Sequence, residues 1–361
     1  MGEARDPDPV SVAARALAAA VLAGDTRAAA RACRVVDDAR PGHAELLAAL
    51  YSRAASSWVI GITGSPGVGK STLTSQLVSH FRAQGGRIAV VAVDPSSPFS
   101  GGAVLGDRIR MQAHWADPDV FVRSMATRGA HGGLSRTAAD VARVLGAWGA
   151  RVVLLETVGV GQDELDVMRV ADSTLVIQAP GAGDDIQAAK AGLLECADVF
   201  AVNKADLPGA DSVAENLRAM LALGSVTGSA AWSAGSRGHS AASLAGSAEH
   251  QSGDEGWQVP VVPCAATRND GVAELVEQLA AHQRWLTGTP QGRQRRRGRL
   301  SEELLGRVRE AVVVEMLERH RGEVEAAAAE VERGALDPYA AARSLIERWL
   351  GPGPTETSSE P

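Results

Sequence analysis

Several residue types that would point to particular functions are scarce in this chain of 361 residues. Aromatic side chains make up 4% of it and the net charge is -7, so it lacks the basic face with interleaved aromatics that nucleic-acid binding requires. The one dense basic run, Arg293 to Arg299, is short enough to be a solvated linker in an acidic protein. We therefore expect no nucleic-acid partner.

Cysteines and long apolar runs are also scarce. Cys33, Cys196 and Cys264 lie too far apart in the sequence for a C-x-x-C metal site or a disulfide framework. No uninterrupted apolar run approaches the roughly 18 residues that a membrane span needs, and the N-terminus lacks the basic and apolar regions of a secretion signal. The composition therefore predicts a cytoplasmic protein with no membrane partner.

The stretch from residue 64 to residue 72 carries the strongest motif. It reads G-x-x-x-x-G-K-S-T between an apolar run at 58–63 and a helix-like segment at 73–78, the strand, loop and helix context of a phosphate-binding loop. Lys70 would reach the β- and γ-phosphates, and Ser71 would hold Mg²⁺. The predicted nucleotide contacts here are Gly64, Ser65, Pro66, Gly67, Val68, Gly69, Lys70, Ser71 and Thr72.

The pattern from Trp58 onward predicts an α/β fold. Apolar runs alternate with helical segments, as in a mostly parallel sheet flanked by helices. We expect a P-loop NTPase domain over residues 58–290, a helical segment of two or three helices over 1–57, and a C-terminal helical region over 291–361. The predicted strands are 58–63, 87–93, 151–156, 173–178, 198–202 and 259–263.

Four other segments have distinct compositions. Residues 224–256 are rich in Gly, Ser and Ala, which make up 22 of 33 positions, and this predicts a disordered insertion. The polar stretch 287–299 is interpreted as a linker, and 300–333 as one long amphipathic helix. A further helix is expected to start at Pro338, and the tail from Gly351 is expected to be disordered.

Acidic residues close two of the predicted strands. Glu156 ends strand 151–156 downstream of the phosphate loop, which is the Walker B arrangement for holding Mg²⁺, and Gly159 is placed like the glycine whose N–H meets the γ-phosphate. Asp94 ends strand 87–93, and Asp107 lies in a glycine-flanked loop, so both are candidates near Mg²⁺ or the attacking water. The predicted catalytic set is Lys70, Asp94, Asp107 and Glu156, and the predicted metal set is Ser71, Asp94, Asp107 and Glu156.

Strand 198–202 is followed by Asn203, Lys204, Ala205 and Asp206, an N-K-x-D sequence. A carboxylate can accept two hydrogen bonds from the N1–H and amino group of guanine, whereas adenine offers no such donor pair. Asn203 would brace the loop and Lys204 would lie over the base. Backbone N–H groups of Ala265, Ala266 and Thr267 would contact the guanine oxygen, so GTP and GDP are the expected nucleotides.

The motifs taken together resemble those of G3E-family GTPases of the MeaB/ArgK type. Besides the motifs above, the similarity includes residues 93–97, 100–102, 106–108, 127–129, 156–162, and 183–185 with Lys190. The resemblance implies that Lys70, Ser71, Asp94, Asp107 and Glu156 are the phosphate and magnesium positions, and that 180–190 is a switch loop. It also implies a homodimer formed through a C-terminal helical dimerisation arm.

The function that this resemblance implies is that of a Mg²⁺-dependent GTPase. It would act as a chaperone of an adenosylcobalamin-dependent acyl-CoA mutase, methylmalonyl-CoA mutase above all, gating cofactor loading and protecting the enzyme. Two alternatives stay open: a nickel or cobalt insertion GTPase, and a transport-associated kinase. The first often carries histidine tracts or C-x-x-C pairs, and the N-K-x-D sequence disfavours the second because it indicates guanine rather than adenine.

Overall fold

The computed structural model describes residues 9–54, 56–94, 114, 116–126, 133–157, 170–181, 196–226 and 256–350. These residues form ten helices and seven strands. The helices are α1 (Pro9–Leu22), α2 (Thr26–Asp37), α3 (His43–Ala54), α4 (Lys70–Ala83), α5 (Gly133–Trp148), α6 (Ala210–Val226), α7 (Val272–Gly288), α8 (Pro290–Arg319), α9 (Arg321–Glu332) and α10 (Pro338–Leu350). The strands are β1 (Trp58–Thr63), β2 (Arg87–Asp94), β3 (Val120–Ala126), β4 (Ala150–Thr157), β5 (Ser173–Gln178), β6 (Val199–Val202) and β7 (Val261–Pro263).

The seven strands form one sheet in the order β3-β2-β4-β1-β5-β6-β7. Every strand pair is parallel, so the predicted α/β class is confirmed. All six predicted strands are present, and their ends agree with the prediction to within two residues. Strand β3 was not predicted; among the described strands it lies at the edge of the sheet and pairs with β2 alone.

Alternate residues along each strand pack on opposite faces of the sheet. Ala89, Val91 and Val93 of β2 join a core with α1, α2, α3 and α5, whereas Ile88 and Val90 join a second core with α4 and α7. This is the period-two pattern of a sheet that is covered on both sides. A smaller core holds α6 against β5 and β6.

Three helices precede the first strand and, as predicted, pack against the nucleotide domain, where they contact α5. Gly24 turns the chain with a φ of 83°, and the side chain of Asp25 accepts hydrogen bonds from the N–H groups of Arg27 and Ala28 at 2.8 and 3.0 Å. Asp25 therefore caps the N-terminus of α2. These backbone hydrogen bonds hold the pKa of the Asp25 carboxyl below its ordinary value.

Two predictions about the C-terminal region were wrong. Most of the stretch 287–299 is helical rather than a linker, because α7 continues to Gly288 and α8 begins at Pro290. The Thr289 hydroxyl accepts from the N–H of Gly292 at 3.0 Å, which caps α8. The expected single helix over 300–333 is broken at His320, where α8 gives way to α9.

A buried polar network lies at the N-terminal ends of β1, β5 and β6. The indole of Trp58 donates to the hydroxyl of Ser173 at 3.0 Å, and that hydroxyl lies 2.8 Å from Nδ1 of His282. Asp198 lies 3.4 Å from Nε2 of the same ring and 2.6 Å from the guanidinium of Arg295. The network therefore ties α7 and the start of α8 to the edge of the sheet opposite the phosphate loop.

The chain divides into two compact units, Met1–Arg296 and Arg297–Pro361. In the second unit, α9 and α10 pack through Ala327, Ala341 and Leu345. None of the described helices is long and apolar enough to cross a membrane. Residues 227–255 of the predicted insertion and the tail from 351 lie outside the described residues, while 224–226 belong to α6.

Candidate functional site

Those predicted phosphate, metal and base residues that the structure describes lie at the C-terminal ends of strands of the sheet. Glu156 lies at the end of β4, the phosphate loop follows β1, Asn203 follows β6, and residues 264–267 follow β7. Since all these strands are parallel, the residues share one edge of the sheet, which is where open α/β sheets bind ligands.

The loop between β1 and α4 has the backbone geometry of a phosphate cradle. Gly64 has a φ of 146°, and a Cβ there would lie 2.2 Å from the carbonyl oxygen of Ile177. Gly69 has a left-handed φ of 95° and precedes the first residue of α4. Gly69 makes no side-chain cap hydrogen bond to α4, and the N–H groups of a first helical turn are the groups that bind an anion.

Lys70 is folded against the phosphate loop. Its ammonium group donates to the carbonyl oxygens of Gly64 at 2.6 Å and Ser65 at 3.1 Å, and the residue is 7% exposed. These contacts hold one positive charge at the centre of the loop, where a phosphate group needs it.

Ser71 and Glu156 are in direct contact. The serine hydroxyl donates to Oε1 of Glu156 at 2.7 Å, and both residues are buried. The β1–β4 register pairs Ile62 with Glu156, which brings the end of β4 beside the phosphate loop. A hydroxyl and a carboxylate are oxygen ligands of the kind that Mg²⁺ prefers, so the donor set fits the predicted metal.

Asn203 connects the phosphate half of the site to the base half. Its amide nitrogen donates to the carbonyl oxygen of Val68 at 2.8 Å, and its amide oxygen accepts from the N–H of Ala266 at 3.1 Å. The predicted bracing role therefore corresponds to two buried hydrogen bonds.

Lys204 and Asp206 follow in the same loop. Lys204 has a φ of 58° and donates to the carbonyl oxygen of Gly67 at 2.8 Å; its position over a base stays a prediction. The Asp206 carboxylate, whose side chain is 21% exposed, lies 3.3 Å from the guanidinium of Arg268. Arg268 directly follows Thr267 but was not among the predicted site residues.

The segment after β7 forms a closed turn. The N–H of Ala265 donates to the carbonyl oxygen of Asp270 at 3.0 Å, and that of Ala266 donates to Asn203. Two of the three N–H groups predicted at the guanine oxygen thus bond within the protein, which leaves Thr267 as the strongest remaining candidate. Burial raises the pKa of the neighbouring Cys264 thiol to about 12, so this thiol is neutral.

The remaining predicted positions fall at or beyond the limits of the described residues. Asp94 is the last residue of β2. Asp107 and Gly159 lie outside the described residues, as do residues 95–113, 158–169 and 182–190 of the other loops with predicted nucleotide contacts. The roles of Asp94, Asp107 and Gly159 stay predictions.

The described geometry can serve three chemical tasks. Helix amides and Lys70 can bind phosphate groups, Ser71 and Glu156 can bind a divalent cation, and Asp206 can accept hydrogen bonds from a base. These are the tasks required to bind a nucleoside triphosphate and to transfer its terminal phosphoryl group.

Comparison with known proteins finds relatives of this chain. A family model described as methylmalonyl-CoA mutase-associated GTPase MeaB matches residues 29–321. A protein of Pyrococcus abyssi named as a GTPase is 40% identical over 332 residues, covering 91% of this chain and 95% of that relative. The fused isobutyryl-CoA mutase of Cupriavidus metallidurans is 40% identical over 195 residues, covering 53% of this chain and 18% of that protein.

Similarity to a solved structure supports the fold. The crystal structure of an LAO/AO transport system kinase has a TM-score of 0.63 to this chain at 24% identity. The match covers 95% of this chain and 99% of that one. At this level of identity, the similarity concerns architecture alone.

Proposed function

The chain belongs to the family of methylmalonyl-CoA mutase-associated GTPases, and from that premise we propose that its GTP hydrolysis is Mg²⁺-dependent and serves an adenosylcobalamin-dependent acyl-CoA mutase. Methylmalonyl-CoA mutase is the first candidate partner. The GTPase gates the loading of cofactor into the mutase and protects the mutase from inactivation.

The buried contact between Ser71 and Glu156 is the observation that carries the hydrolytic mechanism. Ser71 is the second residue of α4, and Glu156 is the penultimate residue of β4; their side chains meet at 2.7 Å. Both would hold Mg²⁺, with Asp94 and Asp107 as further proposed ligands. When bound, the ion supplies positive charge that offsets the charge developing on the phosphate oxygens.

Lys70 and the first-turn amides of α4 stabilise the transferring phosphoryl group. The burial of Lys70 matters because an electrostatic contact is stronger where water is excluded. The water that attacks the γ-phosphate yields GDP and inorganic phosphate, and the protein's contribution is to hold charge and orientation around it.

The Lys70→Ala variant tests the assignment of the phosphate site. We expect GTP turnover to fall at least ~100-fold, the scale of losing one preorganised electrostatic donor. The matched control is Arg53→Ala, which removes one positive charge from an exposed position of α3 and should leave turnover unchanged. Wild-type turnover in Lys70→Ala would refute the assigned site.

We expect the Asp206 carboxylate to select GTP over ATP. The purified protein should bind GDP far more tightly than ADP in calorimetry, because adenine cannot supply the donor pair that a carboxylate needs. Asp206→Asn should shift preference toward xanthine nucleotides, since an amide can also donate. Equal affinity for GDP and ADP would contradict the guanine site.

The mutase partnership is supported by the family description and by the domain's occurrence within a fused isobutyryl-CoA mutase. A partner that binds the GTP form better than the GDP form must, by linkage, change nucleotide affinity by the same factor. The test mixes the protein and the mutase of the same organism with GDP or a non-hydrolysable GTP analogue. It measures complex formation, GTP turnover and adenosylcobalamin transfer.

A complex whose affinity depends on nucleotide, together with altered turnover or cofactor transfer, is the expected result. Absence of a complex in every nucleotide state, with unchanged turnover, would reject the mutase role and favour metal insertion. Neither result would affect the Lys70 and base-selection tests, which need no partner.

A homodimer is also part of the proposal. Helix α8 carries a row of exposed apolar side chains at intervals of four residues, formed by Leu300, Leu304, Val308 and Val312, which are 43–63% exposed. Residues four apart lie on one helix face, so this face could pack against its counterpart in a second copy of the chain.

A further inference from the structure

Arg268 shares the Asp206 carboxylate with the proposed base site. One guanidinium nitrogen of Arg268 lies 3.3 Å from Oδ2 of Asp206, and the arginine side chain is 64% exposed. Asp206 is 21% exposed, and a base that pairs with both of its oxygens would share Oδ2 with Arg268.

The backbone around this ion pair fixes the two residues close together. The N–H of Ala205 donates to the carbonyl oxygen of Cys264 at 2.9 Å. The N–H of Arg268 donates to the carbonyl oxygen of Ala265, also at 2.9 Å. Gly271 closes the turn with a φ of 70°, where a Cβ would lie 2.3 Å from the carbonyl oxygen of Pro263. The loops that carry Asp206 and Arg268 are therefore held in register by hydrogen bonds.

A guanidinium and the Watson–Crick edge of guanine present similar chemistry. Each carries neighbouring N–H donors on a planar carbon–nitrogen framework, and each matches the two oxygens of a carboxylate. We propose that Arg268 is an internal competitor of guanine: its contact with Oδ2 of Asp206 competes with the pairing of the base with both carboxylate oxygens. This inference rests on the proposed guanine site and adds a residue that sets its affinity.

The exposure of Arg268 limits the size of the effect. Ion pairs between partly exposed side chains are weak and are screened by salt. Removing the competitor should therefore tighten GDP binding by about two- to fivefold at low ionic strength. The gain should shrink as salt is added, because salt weakens the Arg268–Asp206 pair itself.

Calorimetric titration with GDP tests the inference in the full-length protein. Arg268→Ala should lower the Kd by this factor, and Arg268→Lys, which keeps the charge but loses the planar fork, should lie between Arg268→Ala and wild type. The matched control is Arg284→Ala, an exposed arginine on α7, roughly 18 Å along the helix axis from its first residue. Arg284→Ala should leave the Kd unchanged.

A double-mutant cycle identifies the partner of Arg268. On the Asp206→Asn background, titrated with xanthosine diphosphate, Arg268→Ala should no longer tighten binding, because the charge that it paired with is gone. A persistent gain on that background would overturn the competition with guanine for Asp206.

The outcomes separate this inference from the proposed function. Wild-type selectivity for GDP over ADP, combined with unchanged or weaker GDP binding in Arg268→Ala, would overturn the competition and leave the guanine site standing. Wild-type affinity that is equal for GDP and ADP would overturn both. Tighter GDP binding in Arg268→Ala with retained selectivity supports both.

Discussion

Asn203 is the residue on which the two halves of the site depend. Replacement by alanine leaves the buried carbonyl of Val68 and the buried N–H of Ala266 without the partners seen in the structure. Each such loss costs about 1–3 kcal/mol, so Asn203→Ala should lower the free energy of unfolding by a few kcal/mol and weaken GDP binding.

Urea unfolding and GDP titration measure the two effects of Asn203→Ala. Asn216→Ala provides the control, because Asn216 is exposed on α6 and its replacement should change the unfolding midpoint little. If both variants unfold at the same urea concentration, the bracing role of Asn203 is wrong.

Gly64 and Gly67 allow a contact effect to be separated from backbone strain. Both have a positive φ, of 146° and 78°, but a Cβ on Gly64 would meet the Ile177 carbonyl at 2.2 Å, whereas one on Gly67 meets no described atom within 4 Å. Gly64→Ala should therefore destabilise the protein by about 1–3 kcal/mol more than Gly67→Ala. Equal unfolding midpoints of the two variants in urea would show that the phosphate loop accommodates a side chain at Gly64 without a further loss of stability.

At the residue scale, the motif residues were predictable because each is defined by its neighbours in sequence. Lys70 and Ser71 follow the glycine loop directly, and Asn203 follows a buried strand. Arg268 was not predictable in this way, since its ion pair depends on how the loops after β6 and β7 are joined. Ala266 and Asn203, which make that junction, are 63 residues apart.

At the element scale, buried strands were predicted well and polar elements poorly. The central strands are continuous apolar runs, but β3 contains Arg123 and Ser124 and lies at the sheet edge, where its pattern is weaker. The start of α8 was not predicted as helix because it is rich in arginine and was interpreted as a polar linker. Thr289 followed by Pro290 is the cap and first-turn combination that could have revealed it.

His282 on α7 makes the stability of the buried polar network at the N-terminal ends of β1, β5 and β6 depend on pH. Burial, opposed in part by Asp198 and Asp172 and reinforced by Arg295, lowers the pKa of the imidazole from its ordinary 6.5. The folded protein therefore favours the neutral ring, while the unfolded chain binds a proton below about pH 6.5. Stability from this residue is fully present above that pH and is lost as pH falls toward the folded pKa.

We expect the free energy of unfolding to fall between pH 7.5 and 5.5 more steeply in wild type than in His282→Asn. The contribution of one group cannot exceed about 1.4 kcal/mol per pH unit. His43→Asn, at a half-buried position of α3, is the control and should keep the wild-type slope. Identical slopes in wild type and His282→Asn would contradict the assignment of the pH dependence to this ring.

At the scale of the whole molecule, the proposed homodimer predicts a sensitive face on α8. Leu304 is 63% exposed and Val308 is 49% exposed, so Leu304→Asp combined with Val308→Asp should not disturb a core of the single chain. The charges should instead oppose burial between two copies and shift the mass in analytical ultracentrifugation from dimer to monomer.

The control for this experiment places the same charge elsewhere. Leu207→Asp changes an apolar residue of the first unit that is 47% exposed and should leave the mass unchanged. A wild-type monomer at all concentrations, or a dimer that tolerates both α8 charges, would exclude this face.

The central position of β1 in the sheet also has a consequence for synthesis on the ribosome. β1 pairs with β4 and β5, and Trp58 lies opposite Val152, so about ninety residues must be added before its first partner strand exists. At roughly 5–20 residues per second, this takes on the order of 5–20 seconds. During that time the apolar segment Trp58–Thr63 lacks its native partner strand, a state in which exposed apolar segments are prone to aggregate.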